Sequence, residues 1–272
     1  MGDFKIHFQL QNLDKVSLWG TYPQQRIHWF GLTDGLLWID VCGQTIYEYT
    51  DEACSYFDDH SKYNNYQLSR FMEDFSRTFL SVGVSIPEEL YSYIEEFETQ
   101  TDDWKELHIN DEDDVFDAFY YKEYCELMQW YFDRRFDSGH LVGGPYIGCF
   151  RFGDRIKIMW KSDCKLENGI SIWTSKGGCV ELEYARFVEA VKEFFDSFFA
   201  AMDKQVKNAI VRDWGNVFLD KKRLAQENEQ RKETFYQSLS FLQSPKTNMG
   251  WNATDWDKVK AIYAKMKKEI SI

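Results

Sequence analysis

The sequence predicts an α+β protein in which antiparallel β-meanders pack with amphipathic helices and the C-terminal part is helical. Three observations carry that reading. Apolar and polar residues alternate in "FKIHFQL" and again in "RIKIMWK", the period of a strand with one face buried. Phe187, Val191, Phe194, Phe198 and Met202 follow one another at steps of four, three, four and four, the period of a helix with one apolar stripe. The 272 residues hold 4 prolines and 16 glycines and no Ser/Gly linker or low-complexity tract, so no flexible junction divides them. The expectation is one compact domain over 1–272, with 1–140 and 141–272 as sub-blocks, long enough to bury a substantial core.

Taken in order, Phe4, Ile6, Phe8 and Leu10 share one side of a first strand, and this alternation is unlike the continuous apolar core of a signal peptide. The stretch "HWFGLTDGLLWIDVCGQTIYEY", His28 to Tyr49, reads as a strand near His28, a turn at Thr33-Asp34-Gly35, a strand over 36–41, a turn at Cys42-Gly43 and a strand over 45–49. Leu37, Ile39 and Val41 face one way there, and Leu36, Trp38 and Asp40 the other. Leu68, Phe71, Met72, Phe75 and Phe79 predict a helix that "SVGV" stops. Pro87, Glu88 and Glu89 suit the first turn of another. An acidic loop follows, then a longer helix from Val115 to about Phe136, broken by "DSGHLVGGP". "YIGCFRFGDRIKIMW" gives two strands about Gly153-Asp154, and "NGISIWTSKGGCVELEY" two more, a four-stranded meander over 146–184. The long helix of the apolar stripe then runs to Asp213-Trp214-Gly215. A charged helix covers about Asp220 to Leu242 and a loop 244–250. The last helix opens on a capping box at Thr254 and Asp257 and closes with Lys265, Lys267 and Lys268.

Composition narrows the class. Without a run of about 18 apolar residues there is no membrane span, and without an export signal the expected location is the cytoplasm. The six cysteines are then expected as reduced thiols. None forms a C-x-x-C pair or has a histidine at metal spacing, so neither a metal nor a cofactor is expected. Cys149, Cys164 and Cys179, fifteen apart, suit successive strands. Aromatic residues are 18% of the chain, which large buried rings explain and which also suits an interface.

Net charge is −13, and Glu95–Asp117 alone holds eleven acidic residues against one lysine. From Lys221 onward eleven basic residues face six acidic ones, so the chain is polarised. An acidic chain disfavours nucleic acid, whose affinity comes from Lys and Arg releasing counterions.

Two places invite a functional reading. A histidine oriented by a carboxylate moves protons near neutral pH, so His28 with Asp34 and Asp40, joined by His140 of the Gly-rich loop, makes a candidate hydrolase site using His28, Asp34 and His140. The competing account is structural. Asp34-Gly35 is a turn pair, no nucleophile motif accompanies it, and the glycines at 143 and 144 follow a helix and precede Pro145, the wrong context for phosphate. In the acidic segment, Trp104, Leu107, Ile109, Val115 and Phe116 are interleaved with carboxylates. Such a mixture anchors a basic protein, because charge steers the encounter and apolar area holds it. The expected contacts are Asp102, Asp103, Trp104, Glu106, Asp111, Glu112, Asp113 and Asp114.

"HWFGLTDGLLWIDVCGQTIYEY", "GGPYIGCFRFGDRIKIMWKSDCKLENGISIWTSKGGCVELEY" and "FFAAMDKQVKNAIVRDWGNVFLDK" together resemble the bacterial family DUF5984 over most of the chain. The family brings no catalytic residues with it. Its members look like small cytoplasmic proteins of bacterial toxin systems, so the resemblance implies a non-enzymatic immunity protein that neutralises a toxin by direct contact. Nuclease toxins are commonly basic, which agrees with the charge argument. The other readings are the hydrolase and a structural module of a bacterial assembly, which would form a stable homo-oligomer.

Overall fold

The computed structural model describes residues 4–58, 61–244 and 254–271. Strand β1 (Phe4–Leu10) pairs antiparallel with β2 (Asp34–Val41) along its length, with Ile6 opposite Ile39 and Phe8 opposite Leu37. β3 (Gln44–Ile46) and β4 (Asn64–Gln67) both pair with β2, at opposite ends of it. Leu37, Ile39 and Val41 are buried and Leu36, Trp38 and Asp40 only partly so, as the alternation requires. Helix α1 (Asp51–Phe57) is capped by the Thr50 hydroxyl, which accepts from the Ala53 amide, and α2 (Leu68–Gly83) buries Leu68, Phe71, Met72, Phe75 and Phe79.

The second sheet is the antiparallel run β5 (Arg135–Asp137), β6 (Tyr146–Phe152), β7 (Arg155–Lys161) and β8 (Gly177–Glu183). Its two faces belong to two different cores. Ile147, Cys149, Ile156, Ile158, Trp160 and Leu182 join the first sheet, α2, α7 (Tyr184–Val211) and α8 (Lys221–Gln243) in one cluster. Phe150, with Phe152 and Met159 beside it, joins α3 (Glu88–Ser92), α4 (Ile94–His108), α5 (Asp113–Phe119), α6 (Cys125–Phe132) and α9 (Trp256–Glu269) in the other. The predicted stripe of α7 is buried throughout, and its Phe187, Phe194 and Phe198 meet Phe4 and Phe8 of β1. Asp220 caps α8 by accepting from the Arg223 amide, so that helix begins where the sequence placed it.

The two sheets are also stitched by backbone. The Glu48 carbonyl accepts from the Thr174 amide and the Thr50 amide donates to Ile172, while the Tyr49 amide donates to Lys62 on the other side. Tyr47 donates to or accepts from Ser138 across 2.5 Å between buried hydroxyls.

Several expectations are corrected. The residues near His28 form no strand; Gly31–Thr33 is a 3-10 turn, because Trp29 is pulled into the core, where its indole donates to Asn228 of α8 at 2.9 Å. Asp34-Gly35 is no turn but the start of β2. A Cβ on Gly35 would lie 2.4 Å from the Gln9 carbonyl oxygen, so glycine is there to let β1 approach. β3 ends at Ile46, since Tyr47 takes a left-handed φ of 67°. The acidic segment is mostly helical, with a loop only over 109–112 between its two helices. The helix before the second sheet stops at Phe132, and residues 135–137 turn into its first strand. Ile170–Thr174 supplies only isolated bridges, so Cys164 lies in an exposed connection, not on a strand. α9 is capped by Asp255, which accepts from the Lys258 amide, in place of the box at Thr254 and Asp257. Of the loop expected over 244–250, all but Ser244 lies outside the described residues.

Phe150 has no exposed surface. Phe150→Ala is expected to destabilise the protein by about 3–5 kcal/mol in urea unfolding; a loss below about 1 kcal/mol would contradict the second core as described.

Candidate partner-binding surface

In α4, Ile94, Phe97, Thr101 and Trp104 fall at steps of three, four and three and are all buried, which turns the remaining residues of the helix outward. In α5, Asp113 and Asp114 occupy the first turn, where carboxylates suit the positive end of a helix, and Phe119 is buried. A π-turn over Tyr120–Tyr124 then leads into α6.

Electrostatic compensation is uneven along this segment. Glu95 pairs with Lys157 at 3.1 Å and Glu98 with Arg135 at 2.8 Å, both reaching back to the second sheet. From Asp102 to Asp114, the one carboxylate with an ion pair among the described residues is Asp111, which meets His108 at 2.8 Å. Asp102, Asp103, Glu106, Glu112, Asp113 and Asp114 are exposed and form no ion pair among the described residues, though Lys161 of β7 and Lys105 act on Asp102 at longer range. Lys105, the segment's single lysine, lies 5.4 Å from the ring centres of Tyr120 and Tyr124. Burial, with the charge of Glu98, pushes the Asp102 carboxyl above the ordinary aspartate range. Between these acids stand Leu107, Ile109 and Val115, each at least half exposed at 57%, 54% and 50%.

Trp104 is the exception among the expected contacts. Its ring is completely buried against Phe119, and its indole donates to Glu269 of α9 at 2.6 Å. It therefore supports the surface from beneath, and Leu107, Ile109 and Val115 supply the exposed apolar area. Glu269 also faces His108 at 3.4 Å, and His108 stacks on Phe119 with ring centres 4.0 Å apart. Burial pushes the Glu269 carboxyl up, but the bonds from Trp104 and His108 and the charge of Lys265 outweigh it and hold the group below the usual glutamate range. Sequence reasoning missed this contribution of α9, because nothing local in "WDKVKAIYAKMKKE" says which helices it meets.

The residues of the hydrolase reading lie in separate surroundings. His28 sits edge-on to Trp19 and lines a pocket of about 70 Å³ with Arg223 and Glu227. The Asp34 carboxylate accepts from the Ser17 amide at 2.7 Å. His140 packs between Tyr66 and Phe71, 3.9 Å from Asp74. Asp40 accepts from Thr45 and meets His7 at 2.9 Å. A Cβ on Gly144 would fall 2.1 Å from the Ser138 carbonyl oxygen, so the Gly-rich loop is folded back tightly on itself. Among the described residues no group of three or more His, Cys, Asp or Glu is arranged to hold a metal ion, and no helix is long and apolar enough to cross a membrane.

A family model described as a family of unknown function (DUF5984) matches residues 5–262. No curated protein and no solved structure matches the chain.

The depressed Glu269 carboxyl stabilises the fold above the unfolded-state value, and this contribution is lost as pH falls through the folded-state value. Glu269→Gln is expected to melt at a lower temperature than the parent at neutral pH, with the gap closing in acid. A gap that stays constant from neutral to acid pH would contradict the assignment.

Proposed function

We propose that this chain, which belongs to the DUF5984 family, is a non-enzymatic cytoplasmic binding protein that neutralises a basic toxin domain by covering it with the surface of α4 and α5. The observation that carries this reading is the set of six exposed carboxylates from Asp102 to Asp114 that form no ion pair among the described residues, alternating with Leu107, Ile109 and Val115. Like charges this close repel one another in the free protein, and a basic partner relieves that repulsion while the aliphatic side chains provide the area that excludes water.

The geometry suits an inhibitor. α4 and α5 are held on a second core by Ile94, Phe97, Trp104 and Phe119, so the charged array is presented with little freedom left to lose on binding. A rigid acidic face blocks a cationic substrate-binding surface by occupying it, and no chemistry is required of the residues that do so. His28 stands apart from this surface, so His28→Ala is expected to leave partner binding unchanged.

The test is affinity capture from lysate of the native host at low and high salt, followed by titration of the captured partner. Reversing Asp111, Glu112, Asp113 and Asp114 to lysine is expected to weaken a basic partner about a hundred-fold and to flatten its salt dependence. Unchanged affinity would overturn the surface assignment.

A further inference from the structure

The solvent face of the first sheet carries an ordered array that the acidic surface does not use. Strand register places His7 opposite Trp38, and Tyr63 stacks on Trp38 with ring centres 4.2 Å apart and planes 10° from parallel. His7 stacks on the Trp38 ring as well, at 5.0 Å and 3°. The next row across three strands is Gln9, Leu36 and Asn65, and Gln67 stands opposite Asp34 in the row after it. Gln9, Leu36, Asn65, Gln67 and Tyr63 line a groove of about 860 Å³ that Lys15, Ser17, Asp58 and Ser61 border, while His7 and Trp38 lie outside its lining.

The chemistry of the groove restricts its ligand. Among the described residues its charged side chains are two lysines, Lys15 and Lys62, and two aspartates, Asp34 and Asp58, which balance and leave no excess of either sign to attract an ion. Lys62 is taken up by Glu48 at 2.6 Å, and Asp34 by the Ser17 amide. The floor is amide more than aliphatic, which disfavours an apolar ligand, since each amide would lose water without a replacement bond. What remains available is hydrogen-bonding capacity of both signs. Gln11 donates to Asn65 across 3.4 Å, whereas Gln9 and Gln67 make no side-chain hydrogen bond among the described residues. A primary amide offers donor and acceptor side by side, which matches adjacent hydroxyl groups. Tyr63, fixed upright by its stack on Trp38, offers an amphipathic ring beside them without further ordering of the side chain.

We propose that this face binds a neutral oligosaccharide, with Gln9, Asn65 and Gln67 bonding its hydroxyls and Tyr63 packing against a sugar ring. The site lies on the sheet of the first core, whereas α4 and α5 belong to the second, so its success or failure is separate from that of the toxin-binding reading.

The test applies the full chain to an array of neutral glycans and titrates the strongest binder calorimetrically. The double variant Gln9→Ala/Asn65→Ala changes two exposed side chains, so its melting temperature is expected to stay near the parent's. Its dissociation constant is expected to rise at least about ten-fold, while charge reversal on α5 leaves glycan binding unchanged. No retained neutral glycan at about millimolar concentration, equal affinity in the double variant, or selection of peptides, nucleotides or charged glycans over neutral ones would overturn the proposal.

Discussion

Cys149 and Phe150 are neighbours on β6, point to opposite sides of one sheet, and are both buried. That double burial is the constraint on which the rest of the molecule depends. An antiparallel sheet commonly keeps one face in water. Here one face closes the core of α2, α7, α8 and the first sheet, and the other closes the core of α3 to α6 and α9. Neither core is complete without this sheet, and its strands come from the middle of the chain. Residues before and after them are thereby drawn to both sides: α4 and α9, more than 140 residues apart in sequence, touch on the far face through Trp104 and Glu269.

The acidic surface follows from this arrangement. Glu95 and Glu98 lie near the sheet and are neutralised by Lys157 and Arg135 from it. Farther along, the carboxylates from Asp102 to Asp114 face solvent, and Lys161 of the sheet acts on Asp102 without forming an ion pair with it. Net charge alone could not have shown this, because an acid that pairs internally and an acid that faces solvent unpaired count equally in a sum. The distinction arises only when the helix is placed against the sheet. α9 brings its own lysines to Glu123 and Glu126 through Lys265 and Lys258, which compensates α6 and its approach but leaves α5 uncovered.

What could be read in the sequence was whatever a local period determines. Ile156, Ile158 and Trp160 alternate in and out, α7 buries its stripe, and α8 starts at its Asp220 cap, because each pattern is dictated by the element's own geometry. What could not be read was set by contacts distant in sequence. "HWFGLTDG" has the apolar content of a strand, yet Trp29 reaches Asn228 and has Arg231 over its ring, an anchoring partner 199 residues away that bends the backbone into a turn. "NNYQ" has no strand signature, yet it pairs with residues 34–37 of β2, some thirty positions earlier, immediately before α2 begins. The acidic residues between the helix that opens at Pro87 and the one from Val115 read as a loop because charge masks the spacing of Ile94, Phe97, Thr101 and Trp104, which is present in the sequence. Of the expected contact residues the acids are on the surface, while Trp104, the most apolar, is in the core by the same logic that buries large rings elsewhere.

The central claim is that the second sheet binds two cores into one cooperative unit that holds the acidic helices rigid. Native-state amide hydrogen exchange tests it most directly. The account predicts that β6 and β7 are the slowest-exchanging segments, and that the buried turns of α4 and α9 open with the same free energy as those strands. Exchange of α4 and α9 far more readily than β6, as an independent unit, would contradict it.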